Sequence, residues 1–242
     1  MSKKTKKRKA RLRRSKANHG KRPTWAAAEA YSVTRLLGLR IGGSRGAWEQ
    51  FGFTFADATS LLGDVAFVVD ETGSGVLDWT VGAMTDSVTA VDGIPTFLSA
   101  SAVPAGGSNA IGPTVGVALD HVVVNTDDGA RTSAAVEEVL GLPLKRVRDA
   151  GRGVEQRFHT FDNSVIEIVS GPHVTEPGAR LWGMVVSVED IDALFRHVGP
   201  DVMSPPKPAV QEGRLISTVR ASAGLGVPFA VMTPHVRAAH AG

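Results

Sequence analysis

The sequence predicts an α+β fold made of repeated βαβββ modules, with an extra degenerate module on the amino-terminal side. Strand-like segments of alternating apolar residues are separated by single amphipathic helices, and this order recurs along the chain. The two clearest copies begin with LDHVVVNTDD at residue 119 and with LWGMVVSVED at residue 181, which match in length and in pattern. Few folds consist of such duplicated units, so the repeat is the main evidence for the fold class.

The degenerate module is predicted over residues 33–84. VTRLLGLRIG is typical of a strand, and SRGAWEQFGF is typical of a short helix with Ser44 as its N-cap. Three short strands follow. Residues 85–117 are rich in Gly, Ser, Ala, Pro and Thr, and we predict a linker there with one strand near Thr96–Ser99.

A complete domain is predicted over residues 119–234, with modules at 119–170 and 181–233. Each module opens with a strand and an amphipathic helix, which a glycine ends. Three strands follow in the first of these modules. In the second, the proline-rich stretch 202–210 predicts an edge strand or no strand.

Charge is distributed unevenly along the chain. Residues 1–24 carry twelve Lys or Arg and no acidic residue, whereas the rest of the chain holds 15 basic and 24 acidic residues. Like charges at this density repel, so we predict a disordered basic tail at 1–24, and a second disordered segment at 235–242. The cations available for contact with RNA phosphates are Lys3, Lys4, Lys6, Lys7, Arg8, Lys9, Arg11, Arg13, Arg14, Lys16, Lys21 and Arg22.

The absence of cysteine narrows the chemistry. It excludes disulfides, thiolate metal sites and a cysteine nucleophile. It also fits a reducing compartment, and we expect a cytoplasmic protein. No apolar run reaches the roughly 20 residues that span a bilayer. No apolar h-region of about 7–15 residues follows the basic start, so we expect no secretory signal.

Residues 119–234 resemble the vicinal-oxygen-chelate (glyoxalase/bleomycin-resistance/dioxygenase-like) superfamily, from LDHVVVNTDD through VEEVLGLPLKRVRDA and SVIEIVSGP to GLGVPFAVMTP. The chain looks most like a subgroup of actinobacterial glyoxalase-like proteins, in which a degenerate module also precedes the main domain. The resemblance implies a half-barrel in which two modules enclose a ligand cleft. It does not imply one reaction, because the superfamily includes isomerases, epimerases, ring-cleaving dioxygenases, thiol transferases and metal-free antibiotic-binding proteins.

The resemblance also implies where a metal site would lie, on the first and last strands of each module. The first module supplies His121 and Glu167, residue types that bind Zn, Ni, Fe or Mn. In the second module Gly183 and Ala230 take the matching positions, and neither can ligate. We therefore do not expect a resident metal, although a divalent cation held by His121 and Glu167 alone stays open. The alternatives are a hydrogen-bonded His121–Glu167 pair that lines a cleft, or two residues that satisfy each other in the core.

Four further residues are candidates for contact with a ligand. Arg214 and Arg220 share a predicted strand face, where they would hold a substrate carboxylate or phosphate, or else lie on a solvated outer face. Trp182 and Phe229 each precede one of the empty ligand positions. They would narrow the cleft, or else pack in the core.

The degenerate module lacks a pair of metal ligands when its strands are matched with those of the module at 119–170. Asp78 matches Glu167, and Leu37 or Gly38 takes the histidine position. We therefore expect the module to be structural. Because a lone βαβββ module leaves half a barrel open, we expect it to pair with its own copy in a second chain, as a homodimer.

Three functions stay open at this point. The first is a small-molecule cleft between the two modules, with a lyase- or isomerase-type activity in which Glu167 is the general base and His121 assists it. The second is a metal-free protein that sequesters an apolar ligand, which the empty positions Gly183 and Ala230 favour. The third is a protein that contacts the ribosome through its tail.

The third function rests on a separate resemblance. SKANHGKRP, after a run rich in Lys and Arg, resembles the very short actinobacterial large-subunit ribosomal peptide. A genuine fusion, a start codon placed too far upstream and a chance likeness are all left open as its origin. A tail of this charge implies salt-dependent contact with ribosomal RNA that is largely independent of sequence.

Overall fold

The computed structural model describes residues 34–101, 110–115 and 117–235, which form two large sheets and one short hairpin. The predicted disordered tail at 1–24 lies outside the described residues, as does the predicted disordered segment 235–242 except for His235. None of the described helices is long and apolar enough to cross a membrane. Strands outnumber helices among the described elements, and the predicted α+β class is confirmed.

Residues 36–99 form the first sheet, which has six strands. Its elements are β1 (Leu36–Gly42), α1 (Arg45–Phe51), β2 (Thr59–Leu62), β3 (Val65–Asp70), β4 (Gly75–Gly82), β5 (Ser87–Val91) and β6 (Ile94–Ser99). The strand order is β2-β3-β1-β4-β6-β5. A short hairpin of β7 (Ala110–Ile111) and β8 (Thr114–Val115) leads to the second sheet.

The second sheet has eight strands and contains both predicted modules. The first module consists of β9 (Ala118–Thr126), α2 (Gly129–Leu140), β10 (Arg146–Gly151), β11 (Val154–Thr160) and β12 (Val165–Ser170). The second consists of β13 (Ala179–Ser187), α3 (Ile191–Val198), β14 (Lys207–Pro208), β15 (Leu215–Thr218) and β16 (Phe229–Met232). The strand order is β10-β11-β12-β9-β13-β16-β15-β14, so the proline-rich stretch supplies only a two-residue edge strand, as predicted.

The two modules are related by a pseudo-twofold axis at the centre of this sheet. β9 and β13 pair antiparallel. The last strand of each module runs parallel to its first strand, β12 beside β9 and β16 beside β13. The first strands thus occupy equivalent places, and the repeated βαβββ arrangement is confirmed.

Helix α2 begins after a capping aspartate and ends at a glycine. The Asp128 carboxylate accepts hydrogen bonds from the backbone N–H groups of Ala130 at 2.9 Å and Arg131 at 3.0 Å, which caps the helix. Gly141 ends it in the left-handed conformation, at φ 66°. The helix covers one face of the sheet, where Ser133 of α2 contacts the buried His159 of β11 at 2.9 Å. We call the opposite face, which carries His121 and Glu167, the open face of the second sheet.

Two β-bulges interrupt the central strand pair. On β9 the extra residue is Asp120, immediately before His121, and on β13 it is Trp182, immediately before Gly183. A bulge breaks the alternation of side chains, so that two consecutive residues can lie on the same side of the sheet. Asp120 and Trp182 hold the same place in the two modules, as expected for a duplication.

The first sheet differs from the predicted single module at 33–84 followed by a linker at 85–117. β4 does not close the first module. It pairs antiparallel with β1 and parallel with β6, as β13 pairs with β9 and β16. Strands β5 and β6 lie inside the predicted linker. The first sheet therefore consists of two shortened modules, and its arrangement repeats that of the second sheet.

Strand β6 agrees with the strand predicted near Thr96–Ser99, whereas β5 was missed, and a tight turn joins the two. Asp92 at φ 48° and Gly93 at φ 87° connect β5 to β6. Positive φ at both central positions is the pattern of a type I′ hairpin turn, and Asp-Gly is its usual sequence signal. Because the flanking residues are rich in Ser, Thr and Ala, the alternation that marks a strand was weak here.

The main aromatic core lies between the two sheets. The ring of Trp48 in α1 is 5.0 Å from that of Phe67 in β3 and 5.3 Å from that of Phe229 in β16. Trp79 of β4 likewise contacts Phe161, at 6.0 Å. All five rings are buried. The module for which a partner in a second chain was expected is paired within the chain through β1 and β4, and the homodimer itself stays a prediction.

Candidate functional site

A row of charged and polar side chains crosses the open face of the second sheet. We call this row the polar chain, and its members in order are Arg214, Asp120, His121, Glu167 and Gln156. Asp120 and His121 are adjacent on β9, and the bulge at Asp120 allows both to join the same row. Glu167 comes from the neighbouring strand β12, and Gln156 from β11 beyond it.

His121 lies between two carboxylates. Its Nδ1 is 2.8 Å from Asp120 Oδ1, and its Nε2 is 3.2 Å from Glu167 Oε2. Gln156 donates from Nε2 to the other carboxylate oxygen, Glu167 Oε1, at 2.5 Å. The structure thus brings His121 and Glu167 together, and their functional role stays a prediction.

Arg214 closes the other end of the polar chain. It is only 2% exposed, which excludes the solvated outer face considered from the sequence. Its Nε donates to the carbonyl of Thr233 at 2.6 Å, and its two terminal nitrogens donate to Asp120 and to Gln211. Because these donors are directed at protein acceptors, Arg214 positions Asp120.

The charges of the polar chain alternate in sign. Burial lowers the pKa of His121, but hydrogen bonding to Asp120 and the contact with Glu167 outweigh it and raise that pKa from 6.5 to about 9. Burial raises the pKa of Asp120, but its bonds to His121 and Arg214 outweigh burial and leave that pKa below its ordinary value. At neutral pH, His121 is therefore an imidazolium, and its two N–H groups are directed at the carboxylates of Asp120 and Glu167.

The residues present do not fit a resident metal. His121 Nε2 and Glu167 Oε2 could share a cation, but a catalytic metal site has about three protein ligands. Asp120 faces the other ring nitrogen of His121 and is held by Arg214. Among the described residues, no group of three His, Asp or Glu side chains converges as a metal site would require.

Gly183 is not an empty position in the cleft. A Cβ atom at this residue would lie 2.5 Å from the carbonyl oxygen of Pro228 and 3.0 Å from its Cβ. The same carbonyl accepts a hydrogen bond from the N–H of Met184 at 3.1 Å. The glycine therefore permits close approach of the segment before β16, and a histidine could not simply be restored there.

We expect Gly183→Ala to lower the free energy of unfolding by about 1–3 kcal/mol, because the added methyl group meets backbone that cannot give way. Gly38 offers a matched control, since it follows the corresponding bulge on β1, at Leu37. A Cβ atom there would make only ordinary contacts, the nearest at 3.5 Å from the carbonyl oxygen of Ala66. Urea denaturation of both variants checks this, and equal losses would contradict it.

The other three residues that were predicted to contact a ligand lie apart from the polar chain. Arg220 does not share a face with Arg214: it is exposed and donates from Nε to the carbonyl of Pro200 at 3.0 Å. Phe229 is buried between the sheets and, with Arg220, lines a separate cavity of about 470 Å³. Trp182 is 44% exposed at the bulge of β13. These three residues do not join the polar chain.

The predicted equivalence of Asp78 with Glu167 is wrong. Asp78 follows the bulge at Leu77 on β4, so it corresponds to Gly183 on β13. The counterpart of Glu167 is Val68, because Val68 pairs with the second residue after Gly38 on β1. The error follows from the strand assignment, which took β4 for the last strand of a single module.

Sequence reasoning missed two members of the polar chain, Asp120 and Gln156. In a regular strand Asp120 would lie on the face opposite to His121. Only the bulge brings it beside the histidine, and no residue type in LDHVVV marks a bulge. Gln156 could have been found from strand pairing, because Phe158 pairs with Glu167 and Gln156 lies on the same face of β11 as Phe158.

Comparisons with known proteins agree with this architecture. Residues 118–210 match the family model of the Glyoxalase/Bleomycin resistance protein/Dioxygenase superfamily. Residues 1–24 match the model of the 50S ribosomal protein L37 helical region. No curated protein matches the sequence.

Several solved structures align with this chain. A triple mutant of 4-hydroxymandelate synthase from Streptomyces coelicolor aligns with a TM-score of 0.59 at 12% identity, over 84% of this chain and 94% of that one. A hypothetical protein from Bacillus halodurans C-125 aligns with a TM-score of 0.43 at 18% identity, over 51% of this chain and 98% of that one. Methylmalonyl-CoA epimerase from Mycobacterium tuberculosis aligns with a TM-score of 0.41 at 16% identity, over 49% of this chain and 88% of that one.

The first of these alignments is long enough to include both sheets, so it extends the likeness of fold beyond the region that the family model matches. The family-model match over residues 118–210 lies within the second sheet and its helices, and two βαβββ modules about a pseudo-twofold axis agree with that match, so this part of the chain resembles the glyoxalase/bleomycin resistance protein/dioxygenase superfamily, that is, the vicinal-oxygen-chelate superfamily.

Proposed function

We propose that the open face of the second sheet binds a small organic anion without a metal. The observation that carries this proposal is the presence of two arginines, Arg146 and Arg148, on the same face as the polar chain. His121 is an imidazolium at neutral pH, and its side chain and that of Glu167 are still 13% and 15% exposed. A ligand therefore has access to the centre of the polar chain.

Two arginines on the edge strand β10 support an anionic ligand. Arg146 pairs across the strands with Phe158, and Arg148 pairs with Gln156, so both lie on the open face. The Arg146 guanidinium is 6.0 Å from the centre of the Phe158 ring. Neither arginine forms an ion pair with a carboxylate of the described residues. Guanidinium groups in this position suit a carboxylate.

The neighbouring side chains favour an apolar body for the same ligand. Phe158 and Val169 lie on the open face beside the arginines and are only partly buried. An aromatic or aliphatic acid would place its body over these side chains and its charge at β10. This arrangement favours binding or sequestration over the proton abstraction considered from the sequence, because each oxygen of Glu167 already contacts a protein donor.

Calorimetric titration with phenylacetate tests the proposal, with the neutral phenylacetamide as the matched probe. We expect the acid to bind more tightly than the amide. Arg148→Gln should weaken phenylacetate binding roughly tenfold, since a charge-assisted hydrogen bond contributes about 1.5–3 kcal/mol. Arg196→Gln, on the exposed side of α3, is the control and should leave affinity unchanged. Equal binding of acid and amide would refute an anion site.

The metal content of the purified protein tests the second half of the proposal. We expect far less than one equivalent of any divalent metal, and the same trace amount in His121→Ala and Glu167→Ala. One equivalent of metal in the wild type that either substitution removes would show that two protein donors suffice, and the metal-free proposal would be abandoned.

We propose a second function for the basic tail, which is contact with ribosomal RNA. The match of residues 1–24 to the L37 helical region favours it, together with the twelve cations and the lack of acidic residues in that segment. Such contact would place the protein in the cytoplasm. Its binding would weaken steeply with salt, because each phosphate contact releases a counterion.

Co-sedimentation of the full-length chain with ribosomes tests the function of the tail. We expect binding at about 50 mM salt that falls by orders of magnitude near 200 mM. A full-length variant in which glutamine replaces the twelve cations keeps the chain length and should not co-sediment. Retention of that variant on ribosomes would assign the contact to another part of the chain.

A further inference from the structure

We propose that the first sheet has a second binding site, on the face that carries Gly38, Asp78 and Phe97, and that its ligand is a small apolar amine held by Asp78. This site is separate from the polar chain and takes a ligand of the opposite charge. No step of the proposal depends on the function proposed for the second sheet.

A cavity of about 500 Å³ lies on this face of the first sheet. Volumes of roughly 300–1,000 Å³ are typical of small-molecule sites. The lining comes from β1, β3, β4 and β6, and it includes Gly38, Ala66, Val68, Asp78, Thr80 and Phe97. Asp78 and Arg40 are the charged residues of this lining, and its other residues are apolar or uncharged.

Strand pairing puts this cavity at the place that corresponds to the polar chain. Gly38 follows the bulge on β1 as His121 follows the bulge on β9, and Asp78 follows the bulge on β4 as Gly183 does on β13. Val68 and Phe97 are the counterparts of Glu167 and Ala230, respectively. All four first-sheet positions line the cavity. Duplication of the fold therefore duplicated the cleft, with different chemistry.

Asp78 is the group that selects the ligand. It is only 4% exposed. Both contacts from Arg40, by Nε at 2.7 Å and by Nη2 at 2.5 Å, are to the same oxygen, Oδ2. The other oxygen, Oδ1, makes no hydrogen bond with a described residue. This second oxygen can accept a hydrogen bond from a ligand N–H in the cavity, and a hydrogen bond to a charged group is stronger than one between neutral groups.

The local charge favours a cation over a neutral donor. Arg40 also donates from Nη1 to Asp70 Oδ2 at 2.9 Å, so that one guanidinium faces two carboxylates. The group of Arg40, Asp70 and Asp78 therefore carries an excess of one negative charge. A protonated amine restores neutrality at Asp78, whereas a carboxylate would be repelled.

Phenethylamine is a suitable probe, with phenethyl alcohol and phenylacetate as matched ligands of the same shape. Binding would be followed by chemical-shift changes in the isotope-labelled full-length protein. We expect the amine to bind at least tenfold more tightly than the alcohol, with shifts at β1, β4 and β6. Phenylacetate should produce no shifts in these strands. Equal affinity for the amine and the alcohol, or shifts in these strands caused by phenylacetate, would overturn the proposal.

Two variants separate recognition by Asp78 from general effects on the sheet. Asp78→Asn should lower the affinity for phenethylamine at least tenfold, whereas Asp70→Asn should have a smaller effect, because Asp70 contacts Arg40 but does not line the cavity. Gly38→Leu keeps the carboxylate and fills the cavity, and it should abolish binding of the amine. If Asp78→Asn does not fold, Gly38→Leu decides. Undiminished binding in Gly38→Leu would place the amine elsewhere and refute the site.

Discussion

Replacement of Arg214 by methionine is expected to lower the free energy of unfolding by about 3–5 kcal/mol. Methionine keeps the apolar stem of the side chain but removes the donor to Asp120 Oδ2, so that Asp120 and Glu167 are left with the single positive charge of His121. It also removes the donor to the carbonyl of Thr233. An uncompensated charge in a buried network is costly because neither water nor another donor replaces the lost partner. Urea denaturation measures the loss.

Two further variants identify the cause of this loss. The double variant Arg214→Met/Asp120→Asn should lose less than Arg214→Met alone, because the unpaired charge is gone. Arg220→Met removes an exposed arginine with one bond to a backbone carbonyl, and it should cost about 1 kcal/mol or less. If Arg214→Met proves no more destabilising than Arg220→Met, Arg214 does not anchor the polar chain.

The second large effect is a pH dependence of stability that comes from His121. Its pKa in the folded protein is about 9, against 6.5 ordinarily, because Asp120 and Glu167 favour the imidazolium more than burial opposes it. The folded state therefore holds the proton more tightly than the unfolded state. The resulting stabilisation is fully present below about pH 6.5 and is lost as the pH rises through about 9. Its upper limit is on the order of 3 kcal/mol.

The difference between the wild type and His121→Gln isolates this effect. We expect the difference in unfolding free energy to shrink steadily between about pH 6.5 and pH 9. Glu167→Gln retains the shape of the site but removes one of the two carboxylates, so its own pH dependence over this range should be smaller than that of the wild type. A difference between the wild type and His121→Gln that does not vary with pH would show that His121 is not an imidazolium in the folded protein.

Most of the second sheet could be predicted from the sequence because its signals are local and repeated. The alternation in LDHVVVNT and LWGMVVSV defined two equivalent strands, and Gly141 and Gly199 marked the ends of two helices. The resemblance to a known superfamily then indicated that His121 and Glu167 would face each other, and the two side chains do make contact.

The first sheet was predicted less well because its modules are shortened. A missing helix between β4 and β5 removed the periodic signal that separates one module from the next. The strand β4 was consequently assigned to the wrong module, and Asp78 with it. The Asp92-Gly93 hairpin was the remaining local signal for the correct boundary.

The sequence by itself determined the modular α+β fold and the concentration of cations in residues 1–24. The tertiary structure alone decided which side chains meet. The bulge that turns Asp120 beside His121, the burial of Arg214 and the approach of Pro228 to Gly183 depend on strand register and on packing between distant segments. Such contacts are not encoded in local periodicity, because each joins residues that are neighbours only after the strands have paired.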